Sequence, residues 1–282
     1  MSTVRIIGPG RAGCSLSAAL AAKGWQVDGL LGPDDDPADA ATGTDVLVIA
    51  TPDDEIAGVA AAVLPHPGTV VMHLSGSLGL GVLAPHLRRA ALHPLVPLPN
   101  AQVGAARLVG GVTFAVAGDP VARAMAESLG GRAVEVDDVD RARYHAAACI
   151  AANHVVALLG QVERVAGSVG LDLDTFIGLT RAAVDDVARL GPRGALTGPA
   201  ARADWATLAR HRDALDPAER AGYNAGVNLS VRLATDPVPA PGTGPAPDTA
   251  QPDPVPAEAP AGAVRAGSAG GARRALAGQG RD

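Results

Sequence analysis

Polar and apolar positions divide this chain into three textures. Up to about residue 137, short apolar, often β-branched runs alternate with longer amphipathic stretches. The runs 4–8, 25–31, 45–50, 68–74, 90–93, 112–117 and 133–136 read as strands. Helices are expected over 11–23, 53–64 and 120–130, the first stopped by Gly24. A Pro-rich loop is expected from His93 to about Gly111. Strands alternating with helices imply a parallel, doubly wound α/β sheet. From 138 the rhythm turns wholly helical, with stretches over 139–169, 172–190, 204–214 and 217–234. Breaks fall at Gly170, Gly191-Pro192 and Gly198-Pro199, and Asp172 and Asp204 are N-cap candidates. Residues 235–282 carry nine prolines and eight glycines and no aromatic residue. Such a segment buries too little apolar surface to offset its ordering entropy, so it is expected to be a disordered tail.

Composition narrows the chemistry. Aromatics are 2% of the chain, so its core must be built from Ala, Val and Leu. Lys23 is the one lysine, which leaves no lysine beyond it to act as a base or form a Schiff base. A net charge of −6 argues against a nucleic-acid partner, whose phosphates favour a basic surface. Cys14 and Cys149 are too few and too far apart for a disulfide framework or zinc site, and suggest a reducing compartment. The first residues run straight into a strand, without a signal-peptide pattern. Apolar runs look interrupted before spanning length. A cytoplasmic protein acting without membrane, nucleic acid or metal is expected.

The strongest motif is Gly8-Pro9-Gly10-Arg11-Ala12-Gly13, a G-x-G-x-x-G turn between a strand and a helix. Gly8 permits the tight turn, Gly10 lets backbone approach a pyrophosphate, and Gly13 allows helix and strand to pack closely. The helix start then offers free N–H groups and a positive dipole end. Gly8 through Gly13 are therefore expected to bind a dinucleotide. Cys14, in the first helical turn, reads as a packing residue. Asp34, Asp35 and Asp36 follow the second strand. Carboxylates there suit a ribose 2′-hydroxyl and repel a 2′-phosphate, which favours NAD over NADP; they also suit a plain solvated loop.

Three turns fall at carboxyl ends of strands, where such sheets place their sites. Thr51-Pro52-Asp53 is expected along the cofactor, with Asp53 also suited to cap a helix. Ser75-Gly76-Ser77 offers hydroxyls and open backbone to cofactor or substrate. His93-Pro94 offers an imidazole whose ordinary pKa, near neutrality, suits proton exchange; the pair also suits a plain strand end, with His93 bonded to backbone. Along the first long helix His145, Cys149 and Asn153 are spaced by four and form one stripe. They serve either as a site or as packing. Arg202, after Thr197-Gly198-Pro199, either grips a substrate carboxylate or pairs with Asp204 or another carboxylate.

Several segments occur in a familiar order: the glycine turn, Ala50-Thr51-Pro52-Asp53-Asp54-Glu55-Ile56, His73-Leu74-Ser75-Gly76-Ser77-Leu78 and Leu92-His93-Pro94-Leu95. Phe114-Ala115-Val116-Ala117-Gly118-Asp119, Tyr144-His145-Ala146-Ala147-Ala148, Asn153 and Leu196-Thr197-Gly198-Pro199-Ala200-Ala201-Arg202 complete the set. Residues 1–234 thus resemble candidate reductases that join a Rossmann-like domain to a DUF2520 helical domain. These are distant kin of pyrroline-5-carboxylate reductase, ketopantoate reductase, prephenate dehydrogenase and the 6-phosphogluconate dehydrogenase superfamily. The resemblance implies a Rossmann domain at 1–137 and a helical substrate and dimerisation domain at 138–234. It implies a homodimeric NAD(P)-dependent oxidoreductase acting on a small carbonyl- or imine-containing acid. His93 resembles the proton-taking histidine of prephenate dehydrogenases. Asn153 resembles an asparagine of hydroxyacid dehydrogenases, but Cys149 stands where those enzymes have a catalytic lysine, so His145 is the alternative donor. A deazaflavin (F420)-linked oxidoreductase and a non-catalytic dinucleotide sensor or scaffold are the competing readings.

Overall fold

A computed structural model describes residues 2–236. Seven strands appear where apolar runs were expected: β1 (Thr3–Ile7), β2 (Gln26–Leu31), β3 (Val46–Ile49), β4 (Val70–His73), β5 (Arg89–Pro94), β6 (Thr113–Gly118) and β7 (Arg132–Glu135). They form one sheet in the order β2-β1-β3-β4-β5-β6-β7. The fold is α/β and Rossmann-like. The order reverses between β1 and β3, so the crevice between their carboxyl ends is the place for a ligand.

The centre of the sheet explains why its strands read as unbroken apolar runs. All four residues of β3 are buried. Val46 and Val48 join Val4, Ile6, Val70 and Met72 in one core cluster. Leu47 and Ile49 join Ile7, Val71 and Ile56 in the other. A strand with both faces covered has no polar side to show.

Helices α1 (Arg11–Ala22) and α2 (Asp53–Ala62) begin at the two switch-point turns. The Pro-rich stretch after β5 is not all loop: it contains α3 (Ala101–Leu108). Asn100 caps it by accepting a 2.9 Å hydrogen bond from the Val103 amide. Pro94, Pro97 and Pro99 masked a short helix whose cap and alanine-rich body were readable. Because α3 packs against α1 and returns the chain to the same end, β6 runs antiparallel to β5. β7, after α4 (Val121–Ser128), is parallel to β6. The sheet is therefore mixed, not wholly parallel as expected.

Beyond β7 the described chain is helical: α5 (Arg141–Cys149), a π-helical segment (Ile150–His154), α6 (Val155–Gly167), α7 (Asp174–Ala195), α8 (Gly198–Ala201), α9 (Trp205–Ala214) and α10 (Arg220–Thr235). Asp172 and Asp204 accept 3.1 Å bonds from the amides of Thr175 and Thr207, as caps should. Gly191, at φ +73°, kinks α7 before Pro192. One expectation needs correcting. Residues 138–167 form one continuous helical stretch whose most apolar 18-residue window has a mean hydropathy of 1.3, enough by length and composition alone to cross a membrane. Its charges lie near the two ends, at Asp138, Asp140, Arg141 and Arg143 and at Glu163 and Arg164, and between them only His145, Asn153, His154 and Gln161 interrupt the small and apolar residues besides Tyr144. Residues 237–282, most of the proposed tail, lie outside the described residues.

Candidate active site

The glycine turn is held by contacts only glycine allows. Gly8 has φ +107°, and a Cβ there would lie 2.7 Å from the carbonyl carbon of Ala50. A Cβ on Gly13 would collide with the Gly8 carbonyl oxygen. These two positions lock β1, α1 and the end of β3 backbone to backbone. Gly10 differs, because a Cβ there would meet nothing within 4 Å. The space above it is open. No side chain caps α1, so the amides at its start lack acceptors within the helix. The turn that leads into α1 borders a cleft of about 600 Å³ lined by Gly8, Pro9, Gly10, Asp35, Thr51 and Pro52, among others.

Two further observations fit a dinucleotide in this cleft. The Thr51 hydroxyl is buried at its edge without a hydrogen-bond partner. Asp35 reaches the cleft from the loop after β2, where its carboxylate accepts a 2.7 Å bond from the Gly32 amide. Arg11 is exposed, Ala12 half-buried and Gly13 buried; they shape the turn without lining the cleft. The Cys14 thiol donates to the Pro9 carbonyl at 3.1 Å, a packing and turn-closing role.

Beside this cleft, hydrogen bonds tie the start of α2 to the turn after β4. One carboxylate oxygen of Asp53 accepts from the hydroxyls of Ser75 and Ser77 at 2.7 and 2.8 Å. The Ser75 oxygen also accepts from the amides of Ser77 and Leu78. Asp53 and Ser75 are thus committed to shaping the β4 turn, although sequence suggested direct ligand contacts. That turn sets Gly76 beneath two imidazoles. A Cβ on Gly76 would be 2.7 Å from the His145 ring and 2.9 Å from that of His93.

A second cavity, of about 400 Å³, is lined by His93, His145, Cys149 and Asn153 with the Pro94–Pro97 segment and small residues of the helix. The stripe reaches it through a change of helix type. Four α-helical residues overshoot a full turn by about 40°, which would carry Asn153 away from His145. The π-helical segment Ile150–His154 has a wider turn and brings the chain back. Such segments are frequent at functional sites. Cys149 Sγ lies 3.9 Å from His145 Nε2. Arg202 does not join this cavity. It is exposed at the end of α8 and makes no ion pair with Asp204 among the described residues.

His93 differs most from expectation. Burial, then the neighbouring His145 and Arg141, lowers its pKa to about 4, so the ring is neutral at pH 7. Its Nδ1 is 2.7 Å from the Tyr144 hydroxyl, and the rings meet edge to face. Burial pushes the Tyr144 phenol up to about 12, so it keeps its proton at pH 7 and is a donor suited to an unprotonated Nδ1. In that tautomer the imidazole proton sits on Nε2. Arg141 is fully buried, donates to the Ser75 carbonyl at 3.4 Å through Nη1 and has Nε 3.6 Å from Asp138, leaving Nε and Nη2 without a hydrogen bond. Sequence reading singled out neither Tyr144 nor Arg141. The spacing of Arg141, Tyr144 and His145, three and four apart on one helix, was the available signal.

DUF2520, a domain of unknown function, matches residues 111–228, and a Rossmann-like domain matches residues 33–99. This chain joins a Rossmann-like domain to a DUF2520 domain. The DUF2520 match takes in β6, α4 and β7 as well as most of the helical region. A candidate NADP oxidoreductase from Bacteroides fragilis shares the fold at TM-score 0.69 and 19% identity, over 82% of this chain and 98% of that one. A reductive aminase from Aspergillus terreus, solved with NADPH and ethyl-5-oxohexanoate, matches at 0.59 and 14%, over 82% and 94%. A pyrroline carboxylate reductase from Plasmodium falciparum, solved with NADP, matches at 0.55 and 13%, over 83% and 98%. At these identities the likeness shows the fold. No curated protein matches the chain.

Proposed function

We propose that this Rossmann–DUF2520 chain is a nicotinamide-dependent oxidoreductase that reduces a small carbonyl or imine compound. One observation carries the reading: Asp53, next in sequence to the Thr51-Pro52 edge of the glycine-turn cleft, is hydrogen-bonded to Ser75 and Ser77, which flank the Gly76 packed against His93 and His145. Hydride transfer needs this juxtaposition of a cofactor site and a proton-handling site. The amides at the start of α1 would hold the diphosphate, with Gly10 leaving room and Thr51 offering its unpaired hydroxyl. A bound nicotinamide supplies the hydride. His93, His145 and Asn153 orient the substrate and manage its proton. The names of the fold neighbours, oxidoreductase and reductase with NADP or NADPH, support the same class.

NAD is favoured over NADP, because Asp35 and Glu55 line the cleft and no arginine or lysine does. The helical region 138–234 is proposed as substrate and dimerisation domain. Arg141, Ala166 and Leu208 are its only buried residues. Thirteen of the eighteen exposed large apolar side chains among the described residues lie beyond residue 137. A helical domain with so little of its own core is completed by a second copy packing on the same surface. Reduced free thiols at Cys14 and Cys149 fit a cytoplasmic setting.

The test is thermal shift of the full chain with NADH, NADPH or reduced deazaflavin, followed by cofactor consumption with ketone and imine panels. Ligand bound to the native state raises the melting temperature by mass action. A nicotinamide shift with turnover is the expected result. A shift with deazaflavin alone, or binding without turnover of any substrate, overturns the reading.

A further inference from the structure

The Tyr144–His93 hydrogen bond crosses the wall between two cavities. His93 lines the 400 Å³ cavity with His145 and Asn153. Tyr144 lines a different recess of about 440 Å³, open to solvent and edged by Glu135, Asp137, Asp140 and Arg143. The 2.7 Å contact is thus a two-residue bridge from an acidic, wet recess to the proposed substrate. Behind it sits Arg141, fully sealed from solvent, with an unpartnered Nη2. A buried cation with an unmet donor is costly unless some state of the protein uses it.

We propose that Tyr144 and His93 form a proton relay, backed by Arg141, that delivers a proton from the recess to a carbonyl oxygen in the His93 cavity. The proposal rests on the reductase reading and names its substrate class. The reductant is a reduced nicotinamide, whose hydride reaches the carbonyl carbon. As the C=O π bond opens, the developing alkoxide takes the proton from His93 Nε2. Nδ1 takes the phenol proton in the same event. His93 ends neutral as the other tautomer, and the negative charge rests on the Tyr144 oxygen. Arg141 favours that charge, opposing the burial that otherwise disfavours it. Water in the recess then returns a proton to Tyr144. Nothing here requires an imidazolium, which agrees with the low pKa of His93. An iminium already carries its proton and gains nothing from a relay. The geometry therefore selects aldehydes or ketones over preformed iminium ions.

The first test needs no cofactor. With ¹⁵N-labelled histidine in the full chain, His93 should show a protonated Nε2 and a hydrogen-bonded, unprotonated Nδ1. Tyr144→Phe should convert this to a tautomer mixture. His145, Arg141, His73 and Asp53 all influence the ring, so wild type and variant are compared across pH 5–9. The second test uses NADH or NADPH with cyclohexanone and with N-methyl-1-pyrrolinium, an iminium ion that accepts hydride without taking up a proton. Tyr144→Phe should lower kcat for the ketone about 100-fold or more, the range of general-acid contributions, with little change in KM. Iminium reduction should stay within about threefold, matching the absence of a relayed proton. Arg141→Lys should preserve more ketone turnover than Arg141→Met.

An unchanged His93 tautomer in Tyr144→Phe overturns the relay, as does an equal loss on both substrates. Iminium turnover without ketone turnover in the unsubstituted protein overturns the carbonyl assignment. A tautomer that depends on Tyr144, with no reduction of either class, supports the bridge and removes the reductase reading instead.

Discussion

Gly10 offers a perturbation in which stability and binding should move in opposite directions. Its φ of −76° and ψ of −174° are open to any residue. A methyl group there meets no atom within 4 Å. Gly10→Ala therefore carries no steric or conformational penalty in the fold. It narrows the unfolded ensemble and should stabilise by about 0.4–1 kcal/mol. For a chain of this size that raises Tm by roughly 1–4 °C. The same methyl projects into the space proposed for the diphosphate and holds it off the α1 amides. Losing one hydrogen bond to a charged oxygen costs about 1.5–3 kcal/mol, which weakens binding roughly 10- to 150-fold. Gly8→Ala is the contrast. Strain at φ +107° and contact with the Ala50 backbone should destabilise by about 2 kcal/mol or more. Calorimetric titration with NADH beside denaturant melts measures both quantities. Unchanged affinity in Gly10→Ala, in a protein that binds NADH, refutes the placement of the diphosphate. A large loss of stability refutes the packing argument.

The remaining predictions concern the imidazoles and the helical surface. Gly76→Ala should drive the His93 and His145 rings apart and lower turnover at least tenfold, while NADH affinity stays within about twofold; unaltered turnover would separate the β4 turn from the chemistry. His73 is fully buried, and burial, then Arg141, lowers its pKa to about 4. The unfolded ring, with a pKa near 6.5, takes a proton first as pH falls, so stability is intact above about pH 6.5 and declines down to about pH 4. The slope is at most about 1.4 kcal/mol per pH unit for this ring. His73→Asn should flatten that part of the curve in urea melts, and equal slopes in both proteins would refute the assignment. Light scattering should find a dimer, which Leu179→Asp and Leu229→Asp, at side chains 70% and 66% exposed, should dissociate without unfolding. A monomeric unsubstituted chain would refute the shared surface.

Different parts of this molecule were readable to different depths. The strands were legible because β3 and β4 bury every residue, leaving apolar runs that need no partner to be recognised. The reversal at β6 was not, because strand direction depends on where α3 sends the chain, and three prolines hid α3. At the site, His93, His145 and Asn153 share one cavity, although the sequence offered His93 and the His145–Asn153 stripe as separate groups, whereas Arg202 lies outside it. Tyr144 stayed hidden because its partner is 51 residues earlier, at the end of β5. Spacing within a helix reveals a shared face, but not what that face touches.

That distance in sequence also bears on how the site is assembled. β5 supplies His93, the β4 turn supplies Gly76 and the Ser75 carbonyl, and α5 supplies Arg141, Tyr144 and His145. Arg141 ties α5 to the β4 turn, and Tyr144 ties it to β5. Neither segment alone has a defined imidazole orientation, since the Nδ1 partner of His93 comes from the helix. A shift of α5 would lengthen the Tyr144–His93 bond and open the Gly76 contact together. The proton-handling geometry is therefore a property of the junction between sheet and first long helix. This accounts for the placement of a buried arginine there: its donors hold the junction shut, at a desolvation cost that a merely structural contact between apolar side chains would avoid.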